Sequence, residues 1–196
     1  MRKIILMMSV SVDGFIEGPN GEIDWHSPGD DFHSHVDEEL AAMSAFLHGR
    51  VVYELMAAFW PTADANPSCT PRVAAFARIW REMPKIVFSR TLERAEWNTT
   101  VIRKGVPEQM RALQAQPGGD MVVSGAGLGA AFIEHDLIDE YRIYVHPIVI
   151  GRGKPLFRPS LRRVALRLGE TRTFGNGVVL LRYERPDTQR DHLQSR

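Results

Sequence analysis

The stretch from Asp120 to Phe132 constrains this chain more than any other. A short apolar run, Met121-Val-Val123, breaks at Ser124-Gly-Ala-Gly127 into a glycine-rich turn and then resumes with helical spacing. The pattern predicts strand, tight loop and helix N-terminus. Such a junction aims unpaired backbone N–H groups and the positive end of a helix dipole at one spot, where an anion can sit without a dedicated basic side chain. Gly125 and Gly127 let the loop adopt positive φ and let a ligand approach the backbone. A turn whose glycines serve packing alone looks the same, so the rest of the chain has to decide.

At 196 residues the chain is long enough for one domain with a sizeable core. Lys+Arg and Asp+Glu balance at 24 each, so net charge gives no reason to expect nucleic acid, a membrane surface or a polyacidic partner. The one cysteine, Cys69, lies in a Pro-rich loop without an evident base beside it, which argues against disulfides, a multi-Cys zinc site and thiol catalysis. The run Ile4 to Met8 is too short for a signal segment or a membrane span and reads as a buried first strand. A soluble, cytoplasmic protein is expected.

Taken in order, the first strand (residues 3–9) leads into a turn-rich loop to Gly21 that carries apolar Phe15 and Ile16, and so should pack over something. Residues 27–31 can cap a helix over 32–45. His26, His33 and His35 cluster here with Asp30, Asp31 and Asp37, but no His-x-x-x-His pair puts two imidazoles on one helical face, so a solvated helix start is expected and no metal. A second strand–glycine–helix junction falls at Gly49-Arg50. A cation is disfavoured in a first helical turn, so Arg50 makes physical sense if an anion joins it, and an exposed Arg beside a turn is the plain alternative. A helix over 72–82, a strand over 84–90 ending in Ser89-Arg90, a strand over 99–103 and a helix over 106–115 follow. After the glycine turn come a helix over 127–135, a strand over 137–146, and a hairpin of 163–173 with 177–184. Alternating strands and helices predict an α/β domain over 1–185, and the polar residues 186–196 are expected to fray.

Gly125-x-Gly-x-x-Ala130 formally matches a loosened dinucleotide fingerprint of the Rossmann fold. The context disagrees: the next strand runs through His146-Pro147 towards Arg152 and Lys154, with no acidic residue at its end to hold a ribose. The other organisation is a set of strand ends, Gly49-Arg50, Ser89-Arg90 and Ser124 to Leu128, lining one cleft. A dinucleotide is long enough to touch all three.

The segments Ser9-Val-Ser-Val-Asp-Gly-Phe-Ile16, Ile23-Asp-Trp25, Gly49-Arg-Val-Val-Tyr-Glu54, Ile86-Val-Phe-Ser89, Val122 to Leu128, Leu137 to Tyr141 and His146-Pro147 to Gly153-Lys-Pro-Leu-Phe157 stand in an order that resembles the dihydrofolate-reductase-like family. The resemblance is nearest to its branch related to the reductase domain of the bifunctional riboflavin-biosynthesis deaminase-reductase. It implies a three-layer α/β fold with a mostly parallel central sheet and a C-terminal antiparallel hairpin, NADPH as hydride donor, and a homodimer. By position it places Gly49, Arg50, Ser89 and Arg90 at the adenosine 2′-phosphate side and Ser124, Gly125, Ala126, Gly127 and Leu128 at the pyrophosphate. The loop from Asp13 to Ile16 would close over the nicotinamide. Val52 stands where the family often has a Thr that supports a phosphate, which weakens the preference for NADPH over NADH.

Trp25-x-x-Pro-x-Asp30 is similar to the spacing by which folate reductases set a carboxylate against the substrate ring, which would make Asp30 catalytic and Trp25 a substrate contact. Asp30 is equally a helix-cap candidate, and the cap is favoured. Arg152 and Lys154 would receive a phosphorylated substrate, or form an exposed turn. The expected function is reduction of a small pteridine- or pyrimidine-type substrate. The alternatives are 5-amino-6-(5-phosphoribosylamino)uracil reductase and a nucleotide-binding protein without catalysis.

Overall fold

The computed structural model describes residues 1–26, 29–159 and 162–186. The expected frayed tail therefore lies, but for Pro186, outside the described residues. The chain runs β1 (Ile4–Ser11), β2 (Phe15–Glu17), α1 (Asp30–Ala41), β3 (Ala45–Gly49), α2 (Arg50–Phe59), a 3-10 segment (Trp60–Ala65), α3 (Pro71–Glu82), β4 (Lys85–Phe88) and β5 (Thr99–Ile102). It continues with α4 (Val106–Ala115), β6 (Met121–Val123), α5 (Ala126–Glu134), β7 (Glu140–His146), β8 (Lys154–Pro155), β9 (Arg167–Thr173) and β10 (Val179–Glu184).

Eight strands form one sheet in the order β5-β4-β3-β6-β1-β7-β10-β9. The first six are mutually parallel, and the C-terminal hairpin joins β7 antiparallel. The parallel part reads as apolar runs because helices cover both of its faces. Ile4, Leu6, Leu47 and Val123 pack against Met110 of α4 and Phe132 and Ile133 of α5. The alternate residues Ile5, Met7, Phe46 and Val122 pack against Phe32 of α1, Tyr53 of α2 and Trp80 of α3. This is the three-layer arrangement the sequence led one to expect.

Side chains finish several elements. Thr70 accepts from the Val73 N–H at 3.3 Å and Pro71 opens α3, a sound helix start. Buried Lys85 donates to the Trp80 and Met83 carbonyls at the other end and lies 4.3 Å over the Trp80 ring. At the start of β7, Glu140 is fully buried and accepts from Arg142 Nε and Arg182 Nε, both at 2.7 Å, and from Lys3 Nζ at 3.1 Å. Arg142 also pairs with Glu39 of α1.

Three expectations are corrected. The N-cap of α1 is Gly29, with no side-chain cap bond, so Asp30 is not the cap; Asp30 and Asp31 instead bring negative charge to the first turn. The loop after β1 is partly ordered as a strand, because β2 pairs with β8 in a separate two-stranded sheet. His35 is buried rather than solvated, 3.2 Å from both the Tyr144 hydroxyl and an Arg172 guanidinium nitrogen.

Candidate functional site

The parallel register lines up the carboxyl ends of β4, β3, β6, β1 and β7 along one edge of the sheet. Two of these ends turn straight into helices. Gly49 is the N-cap of α2 and Gly125 that of α5, and neither helix has a side-chain cap. Their first-turn N–H groups therefore remain for another acceptor. The two junctions touch: Gly125 has φ +93°, and a Cβ there would stand 2.8 Å from Val52 Cγ2. This is what Val52 does in place of a Thr hydroxyl.

Around this double junction Ala126 is buried, Leu128 packs beside Gly49, and Gly127 is exposed with Arg158 Nη2 nearby, 3.8 Å from where its Cβ would be. Arg158 was not singled out in the sequence, since it lies far along the chain in an irregular segment. Arg50 is exposed and pairs with Glu54 at 2.8 Å, one turn on, which offsets the mismatch with the helix dipole. Ser89 Oγ accepts from the N–H groups of Thr91 and Leu92 at 3.1 and 2.9 Å and closes the turn after β4, leaving Arg90 exposed.

The loop after β1 is tied down. Asp13 accepts from Ser11 Oγ at 2.6 Å and from the N–H groups of Ile150 and Gly151 at 3.2 and 2.7 Å, bonds among which the Ser11 hydroxyl does most to hold its carboxyl below the usual range. Ile16 is core. Trp25 donates to the Glu22 carbonyl at 3.2 Å and lies against His26 and His146, with ring centroids 4.0 and 5.4 Å away.

Next to the junctions, on the α1–α3 side of the sheet, opens a cavity of about 370 Å³. Phe32, Val36 and Leu40 of α1, Met56 and Trp60 supply much of its apolar wall. Its floor is built by four neighbouring strands: His48 of β3, Ser124 just past β6, Ser9 of β1 and His146 of β7. Ser124 Oγ lies 3.3 Å from His48 Nδ1, and Ser124 also opens the glycine turn, so cavity and junction share a residue. Burial pulls His48 down to about 4, with Lys85 adding to the effect; burial, and then His26, does the same to His146. The carboxylate on the wall is Asp37, paired with Arg72 at 3.2 Å. Asp30 is exposed and does not line the cavity. Nor do Trp25, Arg152 and Lys154; Lys154 pairs with Glu17 at 3.0 Å and Arg152 is exposed. Residues 27 and 28 of the Trp25-x-x-Pro-x-Asp30 spacing lie outside the described residues.

Comparison with known proteins bears on the fold. The chain is 35% identical over 183 residues to the uncharacterized protein YyaP of Bacillus subtilis (strain 168), a match covering 93% of this chain and 94% of that one. Among solved structures, a putative riboflavin biosynthesis protein from Shewanella sp. PV-4 superposes with a TM-score of 0.74 at 20% identity, covering 94% of this chain and 99% of that one. Dihydrofolate reductase from Enterococcus faecalis, complexed with NADP(H), superposes with a TM-score of 0.59 at 15% identity, over 94% and 97% of the two chains. These superpositions establish a dihydrofolate-reductase-like fold. Residues 2–180 match the family described as the RibD C-terminal domain, and with nearly the whole chain in that match the protein belongs to this family.

Proposed function

We propose that the protein is a cytoplasmic NADPH-dependent reductase acting on a small pteridine- or pyrimidine-type ring in the histidine-lined cavity. One observation carries this reading: two helix N-termini without side-chain caps meet at Gly49 and Gly125, and Ser124 joins them to the cavity. The N–H groups of Ala126 to Leu128 suit a pyrophosphate, with Arg158 beside Gly127, while the Gly125 N–H donates to Met8 Sδ. Arg50 would exchange Glu54 for a 2′-phosphate, which its guanidinium grips better than a single carboxylate. Ser89 and Arg90 stand on the neighbouring strand end. NADPH, when bound, supplies the hydride; the chain holds it and orients the ring, and Asp37, held by Arg72, is the carboxylate that meets the ring.

Titration with NADPH and NADH tests this, followed by quenching of the four tryptophans and by the melting shift that a ligand of the native state produces. Arg50→Ala is expected to weaken NADPH by about tenfold or more and NADH little. Equal losses remove the 2′-phosphate assignment, and a folded protein silent to both nucleotides removes the reductase. Nucleotide binding without turnover on any ring would favour the non-catalytic alternative. The homodimer stays part of the proposal, with sedimentation velocity as its test; the exposed row Val51, Leu55 and Phe59 of α2 is an apolar surface such a contact would cover.

A further inference from the structure

The cavity carries polar groups that no described residue pairs with. His146 is 1% exposed and packs edge-on against Trp25, His26 and Phe32, with ring centroids at 5.4, 5.1 and 5.5 Å. Among the described residues, neither of its ring nitrogens has a hydrogen-bond partner. His48, 4% exposed, meets Ser124 through Nδ1, while its Nε2 has no partner among the described residues. A buried polar atom left unpaired forfeits the free energy of a hydrogen bond, so two such side chains on one cavity wall call for an acceptor and a donor from outside. Burial keeps both imidazoles neutral near pH 7, and a neutral imidazole offers one donor and one acceptor.

Charge narrows the choice further. Among the described residues on the wall, Arg72 is the only Lys or Arg, and Asp37 already neutralises it. Lys154 is paired with Glu17 and, like Arg152, stands off the wall. A phosphate in this space would give up hydration with no unpaired cation among the described wall residues to meet it, at a cost.

Resting on the reductase reading for the cofactor, we propose that His146 and His48 are polar contacts that hold the substrate beside Asp37. The substrate is then an uncharged planar heteroaromatic ring with hydrogen-bond donors and acceptors and without a phosphate. The phosphoribosylated uracil is thereby disfavoured, although the fold is shared with riboflavin-biosynthesis proteins.

The test is calorimetric titration of the full chain, with and without NADPH, using three probes: 7,8-dihydropterin, 5-amino-6-(5-phosphoribosylamino)uracil and the dephosphorylated form of the latter. The dephosphorylated compound should bind at least as tightly as its phosphorylated twin. His146→Leu should lose about tenfold or more in ring affinity with unchanged NADPH affinity, and His146→Gln, which keeps a donor and an acceptor, should recover part of the loss. His48→Leu repeats the test on a separate strand should His146→Leu melt early. A tenfold preference for the phosphorylated compound, ring affinity untouched in folded variants of both histidines, or silence to all three probes overturns the proposal. Ring binding lost in His146→Leu by a protein that ignores NADPH would sink the reductase and leave the cavity assignment standing. NADPH binding without ring binding does the reverse.

Discussion

His48 and His146 set a pH dependence that can be worked out in sign. Their folded pKa values of about 4 lie below the ordinary 6.5, so between those values the unfolded chain binds more protons than the folded one. Stability should be unaffected by these groups above pH 6.5, fall as the pH drops towards 4, and level off below. His146 faces Trp25, His26 and Phe32, and His48 faces Phe46 and Ser124 with Lys85 near; His26, also lowered by burial, acts in the same sense. The melting temperature should decline from pH 7 to 5, and His146→Gln should flatten that slope; an unchanged slope would place the acid sensitivity elsewhere. Asp37→Asn should lower turnover by about tenfold or more with little change in melting, whereas Asp30→Asn, exposed and off the cavity wall, should leave turnover alone. A loss confined to Asp30→Asn would restore the carboxylate implied by the folate-reductase spacing. The two cavity histidines escaped the sequence reading because each looks like the mere end of an apolar run, Leu47-His48-Gly49 and Val145-His146-Pro147. A polar residue closing a buried parallel strand was the available signal. His33 and His35 diverge as their spacing requires, but only the packed structure shows that His33 reaches the cavity and His35 the Tyr144 hydroxyl.

Among the elements, the α2–α5 double junction is the most demanding. Gly125→Ala combines positive φ with a contact on Val52 and should cost about 1–3 kcal/mol in urea denaturation, with weaker NADPH binding. A variant as stable as the parent would mean that the two helix starts can spread. Both strand–glycine–helix junctions and the bounds of α4 were legible in the sequence, because turn residues and helical periodicity act over a few positions. The ribbon of β2 with β8 was not, since it joins two very short segments far apart in the chain. Gly153 belongs to it: with φ +152°, a Cβ there would run into the Glu17 carbonyl, a demand visible only after folding. The cap of α1 misled for a related reason: several acceptable cap residues adjoin one another in this stretch, and the backbone settles on Gly29.

Across the whole molecule, Glu140 gathers the N-terminal segment through Lys3 and the C-terminal hairpin through Arg182 at one buried point, with Arg142 linking on to Glu39 of α1. Glu140→Gln would remove the carboxylate that Arg142 and Arg182 share, leaving them Glu39 and Glu170, and should cost about 1–3 kcal/mol. A loss under about 1 kcal/mol in urea denaturation would show that strand pairing alone holds the hairpin. The α/β class was readable from the alternation of elements, but strand order was not, because β6 enters between β3 and β1 late in the chain. That insertion matters before the protein is complete. β1 is bracketed by β6 and β7, so on the ribosome its apolar Ile4-Ile-Leu-Met-Met8 must wait until both have emerged. Until then the strand is an adhesive segment, the kind of stretch that chaperones shield from neighbouring nascent chains.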